Sequence, residues 1–134
     1  MDVQSRRDGQ ELYEFAEFTL DVPERRLTRG ALRVHLAPKT YDVLVALVRR
    51  AGHLVTKREL FDRIWPDVFV EEGILTVHVA SLRKALGDMR RSPWCIETIS
   101  RSGYRFIAPV AHAGTADGAG ANGSLWFRQE EGRL

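Results

Sequence analysis

From Tyr13 to Leu36, apolar residues come in short runs broken by polar ones: Tyr13-Glu14-Phe15, Phe18-Thr19-Leu20-Asp21, Arg26-Leu27-Thr28 and Leu32-Arg33-Val34-His35-Leu36. Short alternating runs turn one side of each strand toward a core. Pro23-Glu24 and Arg29-Gly30 supply turn signals between the later pieces. The pattern predicts a four-stranded antiparallel meander. The period changes at Pro38, a favoured first helical residue. Tyr41, Leu44, Val45 and Val48 then fall at the spacing of one helix face, and Gly52 offers a left-handed stop.

A second helix starts at a capping box, Thr56-Lys57-Arg58-Glu59, in which the Thr and Glu side chains satisfy free backbone donors. Leu60, Phe61, Ile64 and Trp65 give it an apolar side, and Pro66 ends it. A third helix is predicted from Glu72 to Leu86. At about 100° per residue, Leu75, Val79, Leu82 and Leu86 lie within roughly 60° of arc, a narrow buried stripe. Glu71 and Glu72 sit at its positive end, Arg83 and Lys84 in its last turns, and Gly87 stops it. Trp94 to Ser100 and Tyr104 to Ala108 read as two strands around Arg101-Ser102-Gly103, a C-terminal hairpin. Residues 1–10 read as a disordered leader, 11–110 as the domain, and 111–134 as a flexible Gly/Ala-rich tail.

The length of 134 residues fits one such α+β domain. Its one cysteine excludes an internal disulfide and a cysteine-rich zinc site, and fits a reducing compartment. No apolar run approaches the ~20 residues of a membrane-spanning helix, and the polar N-terminus lacks a secretory signal. A cytoplasmic location is the expectation. The net charge of +2 says little until it is divided along the chain. Glu11 to Glu24 sums to −5, whereas Gly73 to Val110 sums to +4. Of the 20 basic residues all but Lys39, Lys57 and Lys84 are Arg, whose planar fork of donors suits phosphates and guanine edges.

Two short helices, the second charged at its far end, followed by a hairpin tipped with Arg and Gly, make a winged helix-turn-helix layout. The residues also resemble a known family. Leu36-Ala37-Pro38-Lys39-Thr40-Tyr41-Asp42-Val43-Leu44, Val55-Thr56-Lys57-Arg58-Glu59-Leu60 with Ile64-Trp65, Val77-His78-Val79-Ala80-Ser81-Leu82-Arg83-Lys84-Ala85-Leu86-Gly87, Ile96-Glu97-Thr98-Ile99 and Gly103-Tyr104-Arg105-Phe106 are similar to the OmpR/PhoB-type winged-helix domain of bacterial transcription regulators. Val70-Glu71-Glu72 with Leu75-Thr76 and His78 looks more like the CadC/ToxR-like branch. The resemblance implies a four-stranded N-terminal sheet, three helices and a C-terminal β-hairpin wing. It implies a third helix that reads double-stranded DNA, and a preceding loop that can touch RNA polymerase. It also implies head-to-tail pairing on direct repeats and service as the output module of a phosphorelay-type signalling system. With about ten residues before the first strand and no apolar helix after the wing, the chain reads either as a stand-alone regulator or as such a module without its receiver or sensor.

On the third helix the side opposite the leucine stripe carries Thr76, Val77, Ala80, Ser81 and Lys84, with Arg83 at its edge. These are the expected DNA-facing residues. The set is short of forked polar readers, where a good bidentate base contact is worth about 1–3 kcal/mol of discrimination. Modest base readout, with affinity mainly from phosphates, follows. In the wing, Arg101 at the tip is the minor-groove candidate and Arg105 a phosphate candidate. Arg90 and Arg91 fall outside the motif and read as solvated loop bases. Val68, Phe69, Val70 and Glu71 form the candidate polymerase contact, with core packing of Phe69 as the equal alternative.

His78 reads as a partly buried structural histidine and Cys95 as a buried thiol. His35, His53 and His112 share no metal-ligand spacing, so neither metal nor cofactor is expected. Nothing pairs a nucleophile with a base, and Glu71 and Glu72 are explained by the helix end they precede. A DNA-binding regulator rather than an enzyme is the reading. A winged helix used only as a protein-interaction adaptor is the alternative, suggested by the small, weakly polar face of the third helix.

Overall fold

The computed structural model describes residues 11–112 of the chain. The leader expected over 1–10 and the tail from 113 onward lie outside the described residues. The fold divides into two compact units, one running to Arg33 and resuming at Val110, the other spanning Val34–Pro109.

The first unit is an antiparallel sheet. Strands β1 (Leu12–Phe15), β2 (Phe18–Asp21), β3 (Arg26–Arg29) and β4 (Leu32–Val34) follow the predicted meander. Phe15, Phe18, Leu20 and Leu27 are buried while their neighbours along each strand stay more open, as a two-residue period requires. Phe15 and Phe18 stack with centroids 5.4 Å apart across the β1–β2 turn.

The sheet has five strands rather than four. β8 (Ala111–His112) returns to β1, pairing His112 with Tyr13 and Ala111 with Glu14. The two rings stack at 4.6 Å. Ala111 and His112 therefore belong to the folded domain, not to the tail expected from residue 111. Their pairing is made by backbone along the open edge of β1, and backbone pairing leaves no hydrophobic pattern to read.

The second unit carries the helices: α1 (Pro38–Arg49), α2 (Lys57–Ile64) and α3 (Gly73–Leu86). α1 begins at Pro38 as expected and is buried nearly all round from Tyr41 to Val48. Thr56 accepts the Glu59 N–H at 3.1 Å and the Glu59 carboxylate accepts the Thr56 N–H at 2.8 Å, so the capping box is complete. Between α1 and α2 lies a strand that the pattern did not predict, β5 (Leu54–Thr56). It pairs with β7 (Gly103–Phe106), which pairs in turn with β6 (Ile96–Ile99). The wing is thus a three-stranded sheet, order β5-β7-β6, rather than a lone hairpin.

Candidate nucleic-acid interface

α3 is positioned by its leucine stripe. Leu75, Val79, Leu82 and Leu86 are buried, and the opposite side is open. Thr76, Val77, Ala80, Ser81 and Lys84 are all exposed, Val77 to 57%. His78, at the margin, shares a 2.8 Å hydrogen bond with the Thr40 hydroxyl of α1 and packs beside the Trp65 ring at 5.7 Å. It is a structural tie, which holds α3 to α1 and to the end of α2. Lys57, in the first turn of α2, reaches Glu72 at 2.5 Å, and that bond raises the lysine's pKa above its usual range.

The wing turn is fixed by backbone. The Ser102 N–H donates to the Ile99 carbonyl at 2.9 Å, and the Lys57 N–H to the Ser102 carbonyl at 3.0 Å. A Cβ on Gly103 would overlap the Val55 carbonyl oxygen and lie 2.8 Å from Thr56 Cα, so only glycine lets β5 come this close. Arg101 sits in the turn with φ of +63° and is exposed. Arg105 is half-buried in the middle strand and donates across the ladder to Glu97 at 3.1 Å. It projects from the sheet face opposite Tyr104 and Phe106, as strand alternation dictates.

Arg83 does not flank the open side of α3 as expected from its angle on the helix. It is only 8% exposed. Its Nη2 donates to the Ile96 carbonyl and to the Thr98 hydroxyl, both at 2.8 Å. Nε lies 3.9 Å from Asp88 Oδ2. Burial pushes the guanidinium's pKa below its usual range and Asp88 opposes the shift. The side chain turns inward because β6 offers acceptors that the wheel of a single helix does not contain. Arg83 thus joins α3 to the wing.

Asp88 was missed by sequence reasoning altogether. Its carboxylate accepts the N–H groups of Met89, Trp94 and Ile96 at 3.0, 2.8 and 2.8 Å. An acid one residue after a helix-stopping glycine was the available signal. Cys95 is buried as expected, and burial pushes its thiol pKa up.

In the loop before α3, Phe69 is 89% exposed and Val68 60%. Core packing of Phe69 is thereby excluded. Val70 is half-buried and Glu71 exposed. Thr76, Ala80 and Lys84 of α3 and Arg101 of the wing turn open onto one cleft along the helix, which Arg83 and Arg90 also line. Among the described residues no helix is long and apolar enough to cross a membrane.

Residues 31–106 match the family described as "Transcriptional regulatory protein, C terminal". The transcriptional regulator HilA of Salmonella typhimurium is 38% identical over 98 residues, covering 73% of this chain and 17% of HilA. The transcriptional activator CadC of Escherichia coli is 28% identical over 108 residues, covering 80% of this chain and 18% of CadC. The chain thus spans less than a fifth of the length of these relatives. The solved DNA-binding domain of E. coli CadC has the same fold, with a TM-score of 0.66 and 26% identity over 77% of this chain and 97% of that one. The Klebsiella pneumoniae RstA DNA-binding domain, solved in complex with the RstA box, gives a TM-score of 0.64 and 26% identity over 72% of this chain and 96% of that one.

Proposed function

The chain belongs to the OmpR/PhoB-type family of winged-helix DNA-binding domains of transcription regulators, and from that premise we propose that it binds double-stranded DNA with α3 in the major groove and the wing turn in the minor groove. The observation that carries this reading is a single open face. Thr76, Val77, Ala80, Ser81 and Lys84 share it, and Lys84 and Arg101 supply cations to the cleft beside it. Val77 and Ala80 suit thymine methyls, and Ser81 suits either base type or phosphate. Arg101, on a turn held by backbone bonds, has the reach for a narrow minor groove. Arg105 serves phosphate only if it leaves Glu97. Base readout is modest and phosphates carry most of the affinity. Two copies of the domain would pair head to tail on a direct repeat, as the family resemblance implies, and the domain serves as the output module of a signal-transduction system.

A titration of the full chain on duplex DNA at two salt concentrations tests the reading. Each phosphate contact adds about 0.9 to the slope of log affinity against log salt. A steep slope supports the regulator. Absence of binding at low salt supports a protein-interaction adaptor. Lys84→Gln should weaken binding to every sequence alike and lower the slope by about one. An unchanged slope would place Lys84 off the interface.

Val68, Phe69, Val70 and Glu71 we assign to a contact with RNA polymerase. The support is Phe69, an aromatic held almost wholly in solvent. Exposed aromatics of this kind commonly anchor protein interfaces.

A further inference from the structure

The loop after α3 closes on a buried acid. The Asp88 carboxylate has a relative exposure of 0% and gathers the backbone N–H groups of Met89, Trp94 and Ile96 at 3.0, 2.8 and 2.8 Å. The Trp94 indole N–H donates back to the Gly87 carbonyl at 3.1 Å. A loop pinned at both ends holds a set course between them. Its outward side shows Arg90 and Arg91, both exposed. Among the described residues neither is engaged in a hydrogen bond or ion pair.

The C-terminal end of a helix is the negative end of its dipole. Asp88 adds a full negative charge at the same place. Alone, these would repel a phosphate. Arg83 offsets the acid from inside at 3.9 Å, and Arg90 and Arg91 follow it in the loop as exposed cations. Arg90 lines the cleft shared by Thr76, Ala80, Lys84 and Arg101, whereas Arg91 does not. Both carboxylates that line this cleft are engaged: Asp88 as above, and Glu97 by Arg105 at 3.1 Å.

We propose that this Asp88-closed loop is a third DNA-contacting element, in which Arg90 grips a backbone phosphate beside the groove that α3 enters. The proposal rests on the reading that the cleft takes duplex DNA. The guanidinium fork matches a phosphate in bidentate fashion. The preformed course of the loop reduces the ordering that binding demands. A phosphate contact adds affinity without sequence information, which complements a helix face poor in base readers.

The test is a salt series on a mixed-sequence duplex with the full chain, comparing the parent with Arg90→Gln, Arg90→Lys and Arg91→Gln. Arg90→Gln should bind roughly five- to tenfold more weakly near 0.1 M salt and lower the salt slope by about one. Arg90→Lys should recover the slope, Arg91→Gln should track the parent, and thermal unfolding of all four should coincide. If the parent binds with a steep slope and Arg90→Gln matches it, the loop makes no contact and the groove reading survives alone. If Arg91→Gln lowers the slope as far as Arg90→Gln, diffuse loop charge is responsible and the assignment to Arg90 falls. A parent that ignores the duplex at low salt overturns both.

Discussion

At its N-terminal end α3 follows a loop, Pro66 to Glu72, that shows solvent Val68 and Phe69; at its C-terminal end it runs into a loop, Gly87 to Trp94, that shows solvent Arg90 and Arg91. The first is tethered near its ends, by Val68 N–H to the Trp65 carbonyl at 3.4 Å and by Lys57 to Glu72 at 2.5 Å. The second is organised from inside by one carboxylate that takes three backbone donors. Both loops expose an apolar side chain, Met89 being 64% exposed in the second. The first, however, shows an aromatic beside the acids Glu71 and Glu72 and the second shows two arginines, so the helix ends differ in charge and in the aromatic at the first. Apolar exposure suits a protein partner, because burying it is favourable wherever water is displaced. Cationic exposure suits a polyanion. The difference teaches how a chain of net charge +2 serves a nucleic acid: the bases are placed, and the acids among them are buried or paired.

The sharpest way to break this comparison is to empty the second loop. Asp88→Ala strands three backbone N–H groups and leaves Arg83 without its ion pair. Removing one partner of a buried charged pair costs about 3–5 kcal/mol, and the orphaned donors act in the same direction. Denaturant unfolding should show a loss of that size. Asp88→Asn keeps an acceptor for Met89 and Trp94 but presents an amide to the Ile96 N–H, and should lose roughly half as much. A loss below about 1 kcal/mol for Asp88→Ala would show that the loop is not held from within.

Next in size is Gly87→Ala. Gly87 closes α3 with φ of +74°, and a Cβ there would meet nothing within 4 Å. Sterics with neighbours are thereby removed from the account, and only the left-handed backbone remains. The expected loss is about 1–2 kcal/mol, read from the shift in unfolding midpoint. A neutral result would mean that the turn into the loop relaxes to another conformation.

How far these features were legible in the sequence depends on the reach of the interactions. The open side of α3 follows from a helical period, and Thr76, Val77, Ala80, Ser81 and Lys84 are exposed together. The capping box at Thr56 and Glu59 spans four residues and is equally local. Arg83 was misplaced because a long side chain ends far from where its Cα points, and its acceptors sit on β6. Asp88 was overlooked because it binds donors one, six and eight residues on, with no periodicity to mark them. β5 is three residues whose partners lie on β7, some fifty positions away. β8 adds two residues to an edge by backbone alone. Arg90 was in view as a loop base, but its place on the cleft is set by the closure around Asp88 and could not be read from the chain.

The smallest expected change in stability carries the largest consequence for the comparison. Phe69 is 89% exposed, so Phe69→Ala removes little buried surface and leaves no cavity. Its unfolding free energy should stay within about 0.5 kcal/mol of the parent, the usual range for an exposed position. Its affinity for duplex DNA and its salt slope should also be unchanged, since the residue brings no charge. Transcription from a responsive promoter should nevertheless fall, because truncation of an interface aromatic typically costs more than about 1–2 kcal/mol of binding. That combination separates the two ends of α3 by partner: loss of transcription with intact DNA binding at one, loss of DNA binding with intact folding at Arg90 on the other. Should Phe69→Ala weaken DNA binding instead, the apolar loop lies against the duplex and the division between the two ends fails.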